Sequence, residues 1–229
     1  MEEKKYIEKA KPDQAYFISP FFFLKKKDGK RRLVQDYRGT NKLMIRDHYP
    51  IPLIPPTITA VKNASIFTKF DVQQGYNNIR IREEDKHKAA FKTEFRVYVP
   101  NVMFFGLTNS PATFQRMMDT IFRPVKDKHQ PLGTEILVYM DDILIASSSL
   151  EGHHAAVHDV LNILETHDLF LKPEKCVWEA DRVNYLGLIL EKGVACMDPV
   201  KVNGVWNWQV PTTIKEVHSF LGLDRKSVV

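Results

Sequence analysis

The chain has 229 residues, 44% hydrophobic and 27% charged, with a formal net charge of +5. That is ordinary globular composition, long enough for one large domain or two small ones around a real core. No apolar run approaches the roughly 18 residues of a membrane span, and Met1-Glu2-Glu3-Lys4-Lys5 lacks the apolar centre of a signal peptide.

Residues 1–19 are polar and mixed in charge, and Pro12 and Pro20 break the pattern. Phe21–Leu24 reads as a short strand, and Leu33–Arg38 as another. Asp28-Gly29 between them is a hairpin signal. Six Lys or Arg residues fall in the window Lys25–Arg32. Such a cluster suits a nuclear localisation signal or a solvated turn. On a rigid hairpin it equally suits phosphates, which Arg binds in bidentate fashion and Lys as a point charge. The stretch Tyr49–Pro56 is Pro-rich. It must be extended or turning, and its Ile51, Leu53 and Ile54 favour burial over a role as a proline-rich ligand. Pro56 is placed to open a helix to about Ala64.

Ser65–Phe70 alternates as a strand does, and Asp71 falls at its end. Gly75-Tyr76 interrupts the pattern. Ile79–Arg82 alternates again and reads as a half-exposed strand, and Glu83–Lys88 as a solvated charge run. Ala89–Thr93 and Phe95–Val99 form an expected hairpin. Val102–Pro111 is a loop into a helix, with Ser110 as N-cap and Pro111 as first helical residue. Phe114, Met117, Met118 and Ile121 recur at helical spacing as core filler.

Glu135–Val138 and Leu144–Ala146 are β-capable runs around Tyr139-Met140-Asp141-Asp142, which reads as the tight turn of a hairpin. A bare Asp-Asp pair is usually solvated. Here the apolar flanks and a third carboxylate, Asp71, change the reading, because charges near a core are normally paired or metal-bound. Three carboxylates at two strand ends repel one another unless a cation joins them. Hard oxygen ligands suit Mg²⁺ or Mn²⁺. Two such ions would stabilise the attacking and leaving oxygens of an in-line phosphoryl displacement.

Ser147-Ser148-Ser149 caps a second helix with the stripe Val157, Val160, Leu161 and Leu164. His153, His154 and His158 lie on or near it. Without suitably spaced acidic or Cys partners for zinc, they are expected to be solvated. Lys172–Cys176 is a turn. Val183–Leu190 and Gly193–Cys196 read as a final hairpin, Pro199 opens a helix to about Trp206, and Thr213 starts another. Cys176 and Cys196, the only cysteines, make no disulfide framework, which suits a reducing compartment. The excess of basic charge fits a polyanionic partner. Asp224–Val229 carries no structural pattern. One back-translation, GATCGGAAGAGCGTCGTG, is similar to the start of a short-read sequencing adapter. Residues 224–229 are therefore expected to be an artefact.

Six segments in this order resemble a reverse transcriptase (an RNA-directed DNA polymerase) of Ty3/gypsy-type long-terminal-repeat retrotransposons. They are Val34–Arg38, Phe70-Asp71 with Gly75-Tyr76, Phe105–Phe114, Tyr139–Asp142, Leu171–Cys176 and Tyr185-Leu186-Gly187. The resemblance implies an α+β right-hand fold. Fingers would span 1–49 and 79–109. A ferredoxin-like antiparallel palm would span 50–78 and 110–197, and a truncated thumb would start at 198–223. It implies Asp71, Asp141 and Asp142 as catalytic carboxylates holding two Mg²⁺ or Mn²⁺ ions, with the Val72 carbonyl as a further ligand. Lys27, or Lys26 in its place, and Arg32 would hold the triphosphate. Tyr76 would exclude a ribose 2′-hydroxyl. Phe105 stands beside the nucleotide where retroviral enzymes carry Gln. Leu186 and Gly187 would grip the primer. The implied partners are an RNA or DNA template with primer and deoxynucleoside triphosphates. None of the protease, RNase H or integrase segments such elements encode is read here. The implied setting is intracellular, in cytoplasmic virus-like particles or the nucleus. Two other readings are a catalytically inactive remnant that only binds nucleic acid, and a two-metal nuclease or cyclase on a similar palm.

Overall fold

The apolar run that ends in Asp71 and the hairpin that carries Asp141-Asp142 lie side by side in one sheet. The computed structural model describes residues 1–11, 17–25, 29, 31–53, 59–208 and 210–227. In chain order the strands are β1 (Ile7–Lys9), β2 (Ser19–Lys25), β3 (Arg31–Gln35), β4 (Ile66–Asp71), β5 (Phe91–Lys92) and β6 (Val97–Pro100). They continue as β7 (Thr134–Tyr139), β8 (Asp142–Ser147), β9 (Val177–Ala180), β10 (Arg182–Tyr185), β11 (Leu188–Glu191) and β12 (Val194–Met197). The helices are α1 (Arg38–Leu43), α2 (Ser110–His129), α3 (Leu150–Thr166), α4 (Pro199–Trp206) and α5 (Ile214–Ser227).

The central sheet has the order β7-β8-β4-β9, with each neighbouring pair antiparallel. With α2 between β4 and β7 and α3 between β8 and β9, this is the split βαββαβ arrangement of ferredoxin-like folds. Both faces are covered. On one side Phe70, Ile136, Val138, Ile143 and Ile145 pack with Phe114, Met118 and Phe122 of α2 and Val160 and Leu164 of α3. On the other, Phe67, Leu144 and Ala146 pack with Val183, Tyr185 and Leu190. That second layer explains why β8 is buried at every position after Asp142 instead of alternating. It also buries Phe67, on the strand face opposite Phe70.

A second sheet has the order β1-β6-β5-β2-β3. The expected basic hairpin forms, with Lys25 paired to Arg31 and Phe21 to Gln35. Residues 26–28 and 30 at its tip lie outside the described residues. The expected hairpin of β5 and β6 also forms. Tyr37 anchors this sheet to the segment just before β5, donating from its buried hydroxyl to the Ala89 carbonyl at 3.0 Å.

Several expectations are corrected. β1 emerges from the polar N-terminal stretch, paired to β6. Ile79–Arg82 is no strand: Arg80 makes only an isolated bridge to Val102, because the segment has no sheet neighbour along its length. Glu83–Ala89 is a 3₁₀ helix, with acids in its first turn and bases in its last, as the helix dipole favours. The N-cap of α2 is Asn109, with Pro111 in the first turn, and the Ser110 hydroxyl instead donates to the Phe104 carbonyl. Val183–Leu190 is two strands, folded back at Leu186-Gly187. A helix opening at Pro56 falls mostly on 54–58, outside the described residues. Ser149 caps α3 as expected, accepting from the Gly152 N–H at 3.4 Å. The last helix, expected to start at Thr213, is Ile214–Ser227.

The solvated-histidine expectation holds for the exposed His154 and His158 and fails for His153, which is fully buried. Its Nε2 lies 2.7 Å from Thr68 Oγ1 and its Nδ1 2.7 Å from Ser147 Oγ, so both ring nitrogens are satisfied by the sheet. Burial pushes its pKa below the ordinary histidine value, since desolvation penalises imidazolium. As pH falls, the unfolded chain therefore takes up this proton first. The stability tied to neutral His153 is complete above about pH 6.5 and lost as pH drops towards the lower folded value. The melting temperature should decline between pH 7 and pH 5. His153→Gln should show a shallower slope in that window. An equal slope in both proteins would remove His153 as the cause.

Candidate active site

Asp71 ends β4 and Asp142 begins β8, and the two are direct cross-strand partners. The β7–β8 turn is only Met140-Asp141, and the Asp141 carbonyl accepts from the Val72 N–H at 2.8 Å. Sheet register thus brings Asp71, Val72, Asp141 and Asp142 together at one edge. Met140 sits at φ +53°, a left-handed conformation that strains a residue with a side chain. Gln115, fully buried on α2, holds the turn there. Its Oε1 accepts from the Met140 N–H at 2.8 Å, and its Nε2 donates to the Val138 carbonyl at 3.0 Å and to Asp119 Oδ1 at 3.2 Å. Sequence reading passed over Gln115. The available signal was a polar residue on the helical stripe of Met118 and Phe122.

Burial raises the Asp141 pKa above the usual carboxylate value, and the Asp142 and Asp71 charges add to it, while Lys172 opposes them. The other two carboxylates are neutralised by lysines that the sequence did not single out. Lys172 Nζ contacts Asp71 Oδ1, and Lys175 Nζ lies 3.3 Å from Asp71 Oδ2. Lys69 Nζ lies 3.0 Å from Asp142 Oδ1 and donates to the Asn184 carbonyl at 3.3 Å. Among the described residues no three His, Cys, Asp or Glu side chains close around a common point. The donor chemistry nevertheless fits a hard divalent cation: three carboxylates share one edge, and cations already stand on two of them.

Gly75–Asn78 is a 3₁₀ turn that follows Gln74 at φ +53°. It sets the half-buried Tyr76 ring edge-on to Phe105 at 4.8 Å and to Phe114 at 5.6 Å between centroids. Burial raises the Tyr76 pKa, and the Asp141 charge adds to it, so the phenol lies within the carboxylates' field. Gly75 is tightly enclosed. A Cβ there would meet Phe114 Cζ at 3.0 Å and Asp141 Cβ at 3.4 Å. Phe105 is 42% exposed on the far side of Tyr76.

Leu186-Gly187 forms the two-residue turn between β10 and β11, with both residues at positive φ, +52° and +78°. Only glycine takes the second position without strain. The turn adjoins Tyr185, whose buried hydroxyl is pushed well up in pKa by desolvation and then by Asp142. Lys69 ties Asp142 to the Asn184 carbonyl on the same hairpin. Lys27 and Lys26 lie outside the described residues, as does the side chain of Arg32, whose backbone pairs with Leu24.

Residues 24–190 match the family model described as reverse transcriptase (RNA-dependent DNA polymerase). The chain is 37% identical over 205 residues to the transposon Tf2-3 and Tf2-4 polyproteins of Schizosaccharomyces pombe. The match covers 89% of this chain and 15% of each polyprotein, so the chain spans about a seventh of the length of these relatives. Among solved structures, a foamy viral protease-reverse transcriptase in complex with double-stranded DNA superposes with a TM-score of 0.86 at 23% identity, covering 96% of this chain and 37% of that one. The foamy viral protease-reverse transcriptase in complex with an RNA/DNA hybrid gives 0.79 at 22%, covering 95% and 28%.

Proposed function

This chain belongs to the reverse transcriptase family, and we propose that it adds deoxynucleotides to a primer 3′ end on an RNA or DNA template. The observation that carries this is the register pairing of Asp71 with Asp142, with Asp141 in the adjoining β7–β8 turn and Tyr76 next to Gly75, which packs against Asp141. The five-stranded sheet would serve as fingers and the βαββαβ sheet as palm, and α4 and α5 would contribute to a thumb.

Asp71, Asp141 and the Val72 carbonyl, with Asp142 beside them, would hold two Mg²⁺ or Mn²⁺ ions. Bound there, such ions activate a hydroxyl nucleophile and neutralise charge on a phosphoryl group. The rest falls to the protein's own groups. Tyr76, wedged between two rings, presents a rigid wall to the sugar. Lys27 and Arg32 on the basic hairpin would bind the β- and γ-phosphates, and the Leu186-Gly187 turn would set the primer terminus. Template sequence would be read by base pairing, leaving backbone and shape contacts to the protein. Catalysis would then be largely positioning and electrostatics.

Primer extension on poly(rA)/oligo(dT) with Mg²⁺ or Mn²⁺ tests the reading. Extension supports it. Binding without extension, unchanged by Asp71→Asn, favours a remnant that only holds nucleic acid.

The sugar wall makes a separate prediction. Tyr76→Ala should raise ribonucleotide use relative to deoxynucleotide use by roughly tenfold or more, with a smaller effect on total rate, because steric exclusion is lost while the carboxylates remain. Competition between labelled UTP and dTTP measures it. Unchanged discrimination would take Tyr76 out of the site.

A further inference from the structure

Lys172 Nζ makes two polar contacts, with Asp71 Oδ1 and, at 3.3 Å, with the Val72 carbonyl oxygen. These are the two oxygens proposed above as metal ligands on β4 and its extension. The charge of Lys172 also acts on Asp141. An ammonium therefore stands on two of the oxygens proposed to hold a divalent ion.

Its backbone is fixed. The Lys172 N–H donates to the Asp71 carbonyl at 2.9 Å, and Leu171 bridges to Val72. The Lys175 N–H closes a 3₁₀ turn onto the Lys172 carbonyl at 2.9 Å, which brings Lys175 to the other oxygen of Asp71. The Lys172 side chain, by contrast, is a flexible stem 24% exposed, free to swing to solvent without moving that turn. Lys172, Lys175 and Lys69 set three positive charges, two on Asp71 and one on Asp142, against the three of Asp71, Asp141 and Asp142. Two divalent ions would add four positive charges to an already neutral group, and the ammonium would compete for the same lone pairs.

We infer that Lys172 is an internal stand-in cation, holding Asp71 and the Val72 carbonyl in the metal-free protein and leaving both when a divalent ion takes them. The inference rests on the reading of Asp71 and Val72 as metal ligands. Lys172 thereby steadies the empty site and weakens metal affinity by competition.

Mn²⁺ titration followed by electron paramagnetic resonance, on the 229-residue chain without nucleic acid, tests this. Lys172→Met removes the charge and keeps the stem. It should bind Mn²⁺ at least about tenfold more tightly than wild type. In EDTA it should melt at a lower temperature, and Mn²⁺ should raise its melting temperature more than that of wild type. Lys172→Arg, which keeps a charge, should stay close to wild type. Circular dichroism confirms folding, and Lys172→Gln replaces the Met variant should that one not fold. If Lys172→Met binds Mn²⁺ no more tightly while Asp71→Asn loses binding, the stand-in role is overturned and the metal-ligand reading stands. If Asp71→Asn leaves the titration unchanged, both are overturned.

Discussion

Primer extension should fall by about 10³-fold or more when Asp141 is replaced by asparagine, while the protein stays folded and melts no lower than before. Activity falls because the substitution removes one of the charges on which cation binding at this edge depends. Stability does not, because Asp141 is held against its own preference. Burial and the neighbouring Asp142 and Asp71 raise its pKa in the folded state. A carboxylate with a raised folded pKa contributes stability below its unfolded value near 4, and that contribution is lost as pH rises through the folded value. At pH 7 the charged form opposes folding, so neutral asparagine relieves the metal-free protein. Extension rates and melting curves in EDTA decide the matter together. Near-normal extension by Asp141→Asn would sink the assignment. Lost extension together with a collapsed melting temperature would show that the carboxylate is structural.

Gln115→Ala is expected to give the second largest loss, through position alone. Gln115 is fully buried, so truncation leaves the Met140 N–H without its partner and opens a cavity under the turn. An unsatisfied buried donor and the lost packing together should cost about 2–4 kcal/mol of stability. The left-handed Met140 would lose the bond that holds it, and Asp141 moves with it. A displacement of about 1 Å at a reacting group is enough for roughly a 10²-fold loss of rate. Gln115→Glu separates the two effects. It keeps an acceptor for Met140 but places a second carboxylate beside Asp119, 3.2 Å from the original amide nitrogen. It should lose stability while keeping more activity than Gln115→Ala, as primer extension and urea denaturation would register. Full activity in the alanine variant would mean the turn holds its shape unaided.

The hairpin of Asp141 and Asp142 was legible in the sequence because two charges interrupt a run that is otherwise apolar. The Asp71 strand was legible by its alternation. What surrounds the carboxylates was not. Lys69 was read only as one position of the Asp71 strand and Lys172 only as part of a turn and motif segment, since nothing local says that register will turn them onto Asp142 and Asp71, up to 101 residues apart. His153 was misread for the same reason. Its partners Thr68 and Ser147 belong to β4 and β8, and only the packing of α3 on that sheet brings them within 2.7 Å. The turn at Leu186-Gly187 was hidden inside the stretch Val183–Leu190, because leucine at positive φ is not the Asn or Asp that announces such a turn. Ile79–Arg82 misled in the opposite direction. Alternation is necessary for a half-buried strand, but a strand also needs a neighbour.

Gly75 bears on any attempt to re-engineer sugar choice. A Cβ at position 75 would press on the Phe114 ring at 3.0 Å and touch the Asp141 Cβ at 3.4 Å. The ring that backs Tyr76 and the carbon that carries the carboxylate therefore both border one point beside Gly75. A library varied at position 76 changes the shape of the sugar wall and leaves that point alone. A library varied at position 75 pushes on the ring behind that wall and sets each added side chain against the Asp141 Cβ, so its members should trade selectivity and turnover together.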